Sequence, residues 1–214
     1  DIIKIYRAFK NTPEIFILKK VIKDGYLLAD INLNFDEEGK IKQDYQLNGY
    51  VKKGTLKLLN KELINDLNLN YQINYKNYFL SDLNFNYNEL KILSKSINIE
   101  NKEKYFLIAG NLKNNRTRIS AQLISLFTKS SIQNFSNIDI SSENNFQFKI
   151  NKQFKIKDLE IKSNIILNKA NYKKDLPKLK EYLPKFNNLF ELENHKIDLI
   201  IKKKKLSIKG KGNL

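Results

Sequence analysis

The chain has 214 residues, no cysteine and no methionine, and a formal net charge of +16. That length allows one large domain or two small ones, and the missing cysteine excludes a disulfide framework and thiolate metal sites. No run approaches the roughly eighteen apolar residues that a membrane-spanning helix needs. The missing Met, even at position 1, reads as an excerpt or a processed segment.

The first predicted elements lie in residues 1–25. Ile2 to Phe9 reads as an apolar-periodic turn or short helix. Thr12-Pro13-Glu14 then gives a helix start, with a hydroxyl cap and a Pro at the first helical position, where a missing N–H costs nothing. Ile15, Phe16, Leu18, Val21 and Ile22 form its apolar stripe, and Asp24-Gly25 is the expected stop, so the helix is placed at about 13–23.

From Tyr26 the period switches to two, the signature of a strand with one dry face and one wet face. The spacing predicts strands at 26–35 and 41–51 around the turn at Asp36-Glu37-Glu38-Gly39. Others follow at 55–59, 66–76, 79–87, 90–99 and 104–112, so that 26–116 is a first meander. The clearest stretch is Asp66 to Tyr75, where every odd position is apolar or aromatic and every even one after the Asp is Asn or Gln. The connections are too short for parallel crossovers, so the sheet is antiparallel. Residues 117–131 read as a helical insert on Ile119, Leu123, Ile124 and Phe127.

A second meander occupies 132–174, with strands at 137–142, 145–151 and a bent one from 153 towards Tyr172. Asp175 is read as the cap of a helix over 175–190, with Leu176, Leu179, Leu183 and Phe186 on one side and Pro184 kinking or splitting it. The closing unit, 191–214, is a hairpin of Lys196–Ile201 and Leu206–Leu214. Lys202 to Lys205 form its exposed turn, whose charge blunts aggregation at a sheet edge.

Two motifs recur. Apolar-x-Asp-apolar-x-apolar appears at Leu28–Leu33, Ile64–Leu69, Leu80–Phe85 and Ile156–Ile161, with the Asp expected to accept backbone N–H groups at a strand entrance or bulge. Gly-Asn-Leu appears at Gly110–Leu112 and Gly212–Leu214, expected at strand ends. The set suggests duplicated strand units. This combination resembles the AsmA-like superfamily of Gram-negative envelope proteins, on its YhdP and TamB side. The resemblance covers about residues 26–214. It rests on Asp66-Leu67-Asn68-Leu69, Asp82-Leu83-Asn84-Phe85, Asp158-Leu159-Glu160-Ile161 and the two Gly-Asn-Leu endings. It implies a long curled antiparallel sheet with a lipid-lined groove, and phospholipid movement between inner and outer membranes. It also implies a periplasmic location, tethered to the inner membrane by a helix outside this excerpt.

Roughly a dozen one-sided strands against three or four short helices leave more apolar sheet than helices can cover. A two-sheet sandwich is one way to bury it, and an open groove holding acyl chains is the other. The residues expected to line such a groove are Ile31, Leu33, Phe35, Leu67, Leu69, Tyr71, Ile73, Leu83, Phe85, Tyr87, Phe146, Phe148, Ile150, Ile197, Leu199 and Ile201.

Catalysis finds little support. His195 is the only histidine, there is no Gly-x-Ser-x-Gly, and Gly210-Lys211-Gly212 lacks the spacing of a phosphate loop. A non-enzymatic role with no metal and no cofactor is expected. The basic residues are nearly all Lys, with only Arg7, Arg116 and Arg118 as arginines, so the Arg enrichment of sequence-specific nucleic-acid readers is missing. Much of that lysine reads as a solvated face coloured by an AT-rich genome. The alternative is a polyanion- or nucleic-acid-binding module that uses Lys with interleaved Tyr, for which both must share one face.

Overall fold

A computed structural model describes residues 22–57, 63–128, 134–153 and 155–213. Ten strands form one sheet in sequence order, each antiparallel to the next. They are β1 (Ile22–Asn32), β2 (Gln46–Lys57), β3 (Leu63–Asn74), β4 (Asn77–Tyr87), β5 (Leu90–Lys102) and β6 (Tyr105–Ile119). Then come β7 (Phe135–Asn151), β8 (Ile156–Lys173), β9 (Leu189–Lys202) and β10 (Lys205–Asn213). The expected antiparallel meander is thus the observed architecture. β1 and β10 do not pair with each other, so it stays open rather than closing into a barrel. At about 4.8 Å per step, nine steps make it roughly 43 Å wide.

Several breaks expected from the sequence lie inside longer strands. The 41–51 and 55–59 segments belong largely to one strand, β2, which runs through Gly54. Likewise 137–142 and 145–151 are both β7, and β6 runs on to Ile119. Gly110-Asn111-Leu112 therefore lies in mid-strand rather than at a strand end. The expected helix over 13–23 lies mostly outside the described residues. Its last residues belong to β1, where Gly25 has φ of 135° beside a register shift, a conformation that suits glycine.

Two short helices are described, α1 (Ala121–Thr128) and α2 (Pro177–Tyr182). The Ser120 hydroxyl caps α1 by accepting the Leu123 N–H at 3.2 Å. α2 stops at Tyr182, two residues before Pro184, and the chain re-enters the sheet at Leu189. The 175–190 helix is thus cut short rather than kinked, because Pro184 disfavours a helical residue before it. Both helices join strands at the same end of the sheet. At the opposite end β3–β4, β5–β6 and β9–β10 are joined by two residues each.

At the end where the helices sit, α1 brings Leu123 against Ile119, Ile138 and Ala170, the one compact cluster of buried apolar residues among those described. Phe135, Tyr172, Phe190 and Phe186 continue it as a chain of ring contacts 4.7 to 6.4 Å apart. Among the other described residues, Leu67, Tyr71 and Leu83 are the buried apolar side chains. The accessible surface is 16121 Å², against about 10,300 Å² for a compact chain of this mass. The described residues form a single layer, not a sandwich.

Candidate functional site

Directly paired residues in a sheet share a face, so the register assigns each side chain to one side. Gly110, Phe146, Ile161, Ile201 and Leu206 form one row across β6 to β10. Leu112, Asn144, Ser163, Leu199 and Ile208 form the next. In β2 to β5 the matching rows are Leu47, Ile73, Tyr78 and Ile99, then Gly49, Tyr71, Leu80 and Ile97. The other side carries Asn70, Gln72 and Asn74 of β3, Lys149 and Glu143 of β7, and Lys162 and Asn164 of β8.

Of the expected lining residues, Ile31, Leu67, Leu69, Tyr71, Ile73, Leu83, Phe85 and Tyr87 share the apolar face. So do Phe146, Phe148, Ile150, Ile197, Leu199 and Ile201. Leu33 and Phe35 do not, because β1 ends at Asn32; Phe35 instead bridges Ile41 in the β1–β2 connection and is 55% exposed.

The Asp motif explains how one face stays apolar along strands whose pattern changes phase. Asp66, Asp82 and Asp158 have φ of 53°, 50° and 50°, each inside a strand. In β4, Ser81 pairs with Asn70 and Asn84 with Asn68, two residues of one face of β3. Leu80 and Leu83 therefore also share a face, although three residues apart, because Asp82 is the extra residue of a bulge. The same arithmetic holds for Ile64 and Leu67 around Asp66, and for Ile156 and Leu159 around Asp158. Without the bulge every side chain beyond it would change sides.

Among the described residues the three carboxylates accept side-chain donors, where backbone N–H groups were expected. Asp66 and Asp82 accept the side-chain amides of Asn86 and Asn70 at 2.8 and 3.0 Å, and Asp158 accepts from the Lys149 ammonium at 2.7 Å. Their backbone role is to tolerate the left-handed conformation. Lys53, Asn137 and Asn194 do the same in β2, β7 and β9, with φ of 51°, 51° and 53°. The motif written with Asp alone misses them, although Phe135-Ser136-Asn137-Ile138-Asp139-Ile140 repeats it with Asn in the third place. The copy at Leu28–Leu33 is not a bulge: β1 pairs regularly from Tyr26 to Asn32.

Asparagine side chains replace ladder hydrogen bonds that the bulges remove. The Asn68 carbonyl oxygen accepts the Lys53 N–H at 3.1 Å, while its amide donates to Asp66 O and Asn84 Oδ1. Asn111 Oδ1 accepts the Lys95 N–H at 3.0 Å and the Ser94 hydroxyl at 3.2 Å. On the apolar face Ser94, Asn114 and Ser163 are buried, and Asn114, Ser142 and Asn144 bond to one another. The dry face thus has a short polar seam at mid-sheet.

Glycine lets large side chains lie flat on this face. Tyr71 of β3 crosses Gly49 of β2, and its hydroxyl donates to the Leu28 carbonyl of β1 at 2.9 Å. A Cβ on Gly49 would meet that hydroxyl at 2.6 Å. Burial raises the Tyr71 phenol above its ordinary pKa. His195 lies within β9, in the apolar row with Leu167, its ring lying over Gly212.

On the polar face, Lys113 pairs with Glu143 and Lys149 with Asp158, both at 2.7 Å. Each lysine holds its exposed carboxylate below the ordinary range by hydrogen bond and charge. Lys and Tyr do meet there, Lys52 over the Tyr50 ring at 4.8 Å and Lys149 over Tyr105 at 5.2 Å. These are two separate contacts, and Tyr71, Tyr78 and Tyr87 lie on the other face. Among the described residues no three His, Asp or Glu side chains cluster to hold a metal, and no helix is long and apolar enough to cross a membrane.

No protein-family model, no curated protein and no solved structure matches this chain.

Proposed function

We propose that this chain is a segment of an AsmA-like envelope protein whose apolar sheet face carries phospholipid acyl chains between the inner and outer membranes. On this reading it works in the periplasm, tethered to the inner membrane by a helix elsewhere in the polypeptide, and it is not an enzyme. One observation carries the reading: a face that presents apolar side chains in all ten strands, with one short polar seam, has no second sheet over it among the described residues. Helix α1 covers only the end near Ile138. Each methylene taken from water onto such a face contributes about 0.8 kcal/mol, so acyl chains are a fitting cover. The bulges in successive strands favour a curled sheet, since a bulged strand bends and twists more strongly.

The test pairs lipid occupancy with stability. Organic extracts of the purified chain, read by mass spectrometry, are expected to contain phospholipid, and Ile73→Asp is expected to lose most of it while melting only modestly earlier. A sealed core would respond differently, because a carboxylate buried without a partner costs several kcal/mol. Extracts free of phospholipid, together with global unfolding of Ile73→Asp, would overturn the proposal.

A further inference from the structure

Strand β7 shows the apolar face changing character along its length. Alternate residues put Ile138 in the cluster under α1, Ser142 and Asn144 at the polar seam, and Phe146, Phe148 and Ile150 beyond it. The seam thus lies where the helix-covered end gives way to the rest of the face. From Asn144 to Ile150 the strand runs about 20 Å. An acyl chain fills about 15 Å, half the hydrocarbon core of a bilayer.

Most of the seam is satisfied from within. The Asn114 amide donates to the carbonyls of Asn115 and Ile140, and its oxygen accepts the Ser142 hydroxyl. Asn144 spends its amide on the Leu112 carbonyl at 3.2 Å and on Ser142 Oγ at 2.9 Å. Two groups are left over. The Ser163 hydroxyl makes no hydrogen bond among the described residues, although Ser163 is only 7% exposed, and Asn144 Oδ1 makes none either. The two residues are directly paired, on the same face of β7 and β8. Neither oxygen is sealed in, as the unpartnered oxygens of Asn171 and Asn188 are. Polar groups set into a largely buried apolar surface are ordinarily paired, so this couple calls for a partner from outside.

The chemistry of that partner is narrow. Along this row and the rows on either side of it, β6 to β10 present no Lys, Arg, Asp or Glu. A phosphate set here would have no cation and would meet the Asn144 oxygen. An ester carbonyl only accepts, so it would pair with Ser163 and leave Asn144 Oδ1 unpaired. A hydroxyl does both, accepting from Ser163 and donating to Asn144 Oδ1. We propose that Ser163 and Asn144 form a subsite for an uncharged lipid hydroxyl, and that the lipid carried is a single-chain glycerophospholipid whose free hydroxyl adjoins its acyl ester. The acyl chain then runs over Phe146 and Phe148 towards Ile150. A hydroxyl beyond the phosphate of a headgroup could reach the pair only by drawing that phosphate onto the apolar face. The subsite rests on the reading of this face as a lipid carrier.

The test compares two probes that differ by that hydroxyl alone. They are 1-palmitoyl lysophosphatidylcholine and its analogue with hydrogen in place of the glycerol hydroxyl, each titrated into the purified chain below its micelle concentration and read by calorimetry. The parent is expected to bind the hydroxyl form about tenfold more tightly. Ser163→Ala is expected to bind the two probes alike, at the parent's affinity for the deoxy analogue, which also shows that the variant is folded. Ser163→Thr, which keeps a hydroxyl, is expected to restore the preference. A parent that binds both probes equally overturns the subsite and leaves the lipid-bearing face standing; this comparison needs no variant. A preference that survives in Ser163→Ala overturns the subsite too, because the hydroxyl is then read elsewhere. If neither probe binds the parent, the lipid reading itself falls, and the subsite with it.

Discussion

At the scale of single residues, the phase of every strand depends on side chains that accept a left-handed backbone. Asp82 has φ of 50° and sits between Ser81 and Leu83, the two sides of a bulge. A residue with a branched Cβ pays about 1–2 kcal/mol there, whereas Asn and Gly fit. Asp82→Val is expected to lower the unfolding free energy by that amount, read as a lower urea midpoint at unchanged slope, while Asp82→Asn and Asp82→Gly stay near the parent. Equal loss in all three would mean that the carboxylate contact with Asn70 matters and the backbone does not. The β9–β10 turn makes the opposite prediction. Lys203 and Lys204 both have positive φ, 49° and 63°, the two-residue turn that Asn-Gly suits best. Lys203→Asn with Lys204→Gly is expected to stabilise the chain by about 1 kcal/mol, seen as a higher midpoint.

The same scale sets the acid response. Asp158 and Glu143 have folded pKa values below their unfolded ones, held there by Lys149 and Lys113. Their contribution is complete above the unfolded value of about 4 and drains away as pH falls through the lower folded value. Both carboxylates are exposed, so the slope is shallow. Lys149→Gln is expected to leave melting at neutral pH nearly unchanged and to flatten the acid limb below about pH 4. A steep acid loss that ignores this lysine would place the sensitive group elsewhere.

At the scale of elements, strand identity was legible because period two cannot be confused with a helix over a stretch such as Asp66 to Tyr75. Strand ends were harder. Gly54 looks like punctuation but lies in a continuous strand, because a bulge at Lys53 absorbs an extra residue without ending the ladder, and the gap expected at 143–144 is regular ladder. The end of α2 was half legible: Pro184 marks it, yet Phe186 mimics another helical turn while packing on Phe190 at 5.1 Å. Glycine carries a further element-level prediction. Gly49 lets Tyr71 bridge three strands, so Gly49→Val is expected to displace the ring and cost about 1–3 kcal/mol. Tyr71→Phe removes only the hydrogen bond to Leu28 and is expected to cost about 1 kcal/mol. The reverse ranking would show that the bridge, not the close approach, holds β1 in place.

At the scale of the whole molecule, fourteen of the sixteen residues named from the sequence lie on one face of the sheet, because each run alternates between bulges and the bulges shift phase where the apolar pattern does. The two misses, Leu33 and Phe35, follow a strand that ends early, and no local pattern marks that end. The polar seam of Ser94, Asn114 and Ser142 was illegible for another reason: each sits on an even–odd count that only the observed bulges define. What covers the face is the central claim, and alternate residues of β3 can test it. A photoreactive amino acid placed in turn at Leu69, Asn70, Tyr71, Gln72, Ile73 and Asn74, in cells with labelled phospholipid, reads each face separately. Crosslinks at Leu69, Tyr71 and Ile73 with silence at Asn70, Gln72 and Asn74 are the result expected for a lipid-bearing face. No crosslink at any of the three apolar positions, or equal labelling at all six, would contradict it.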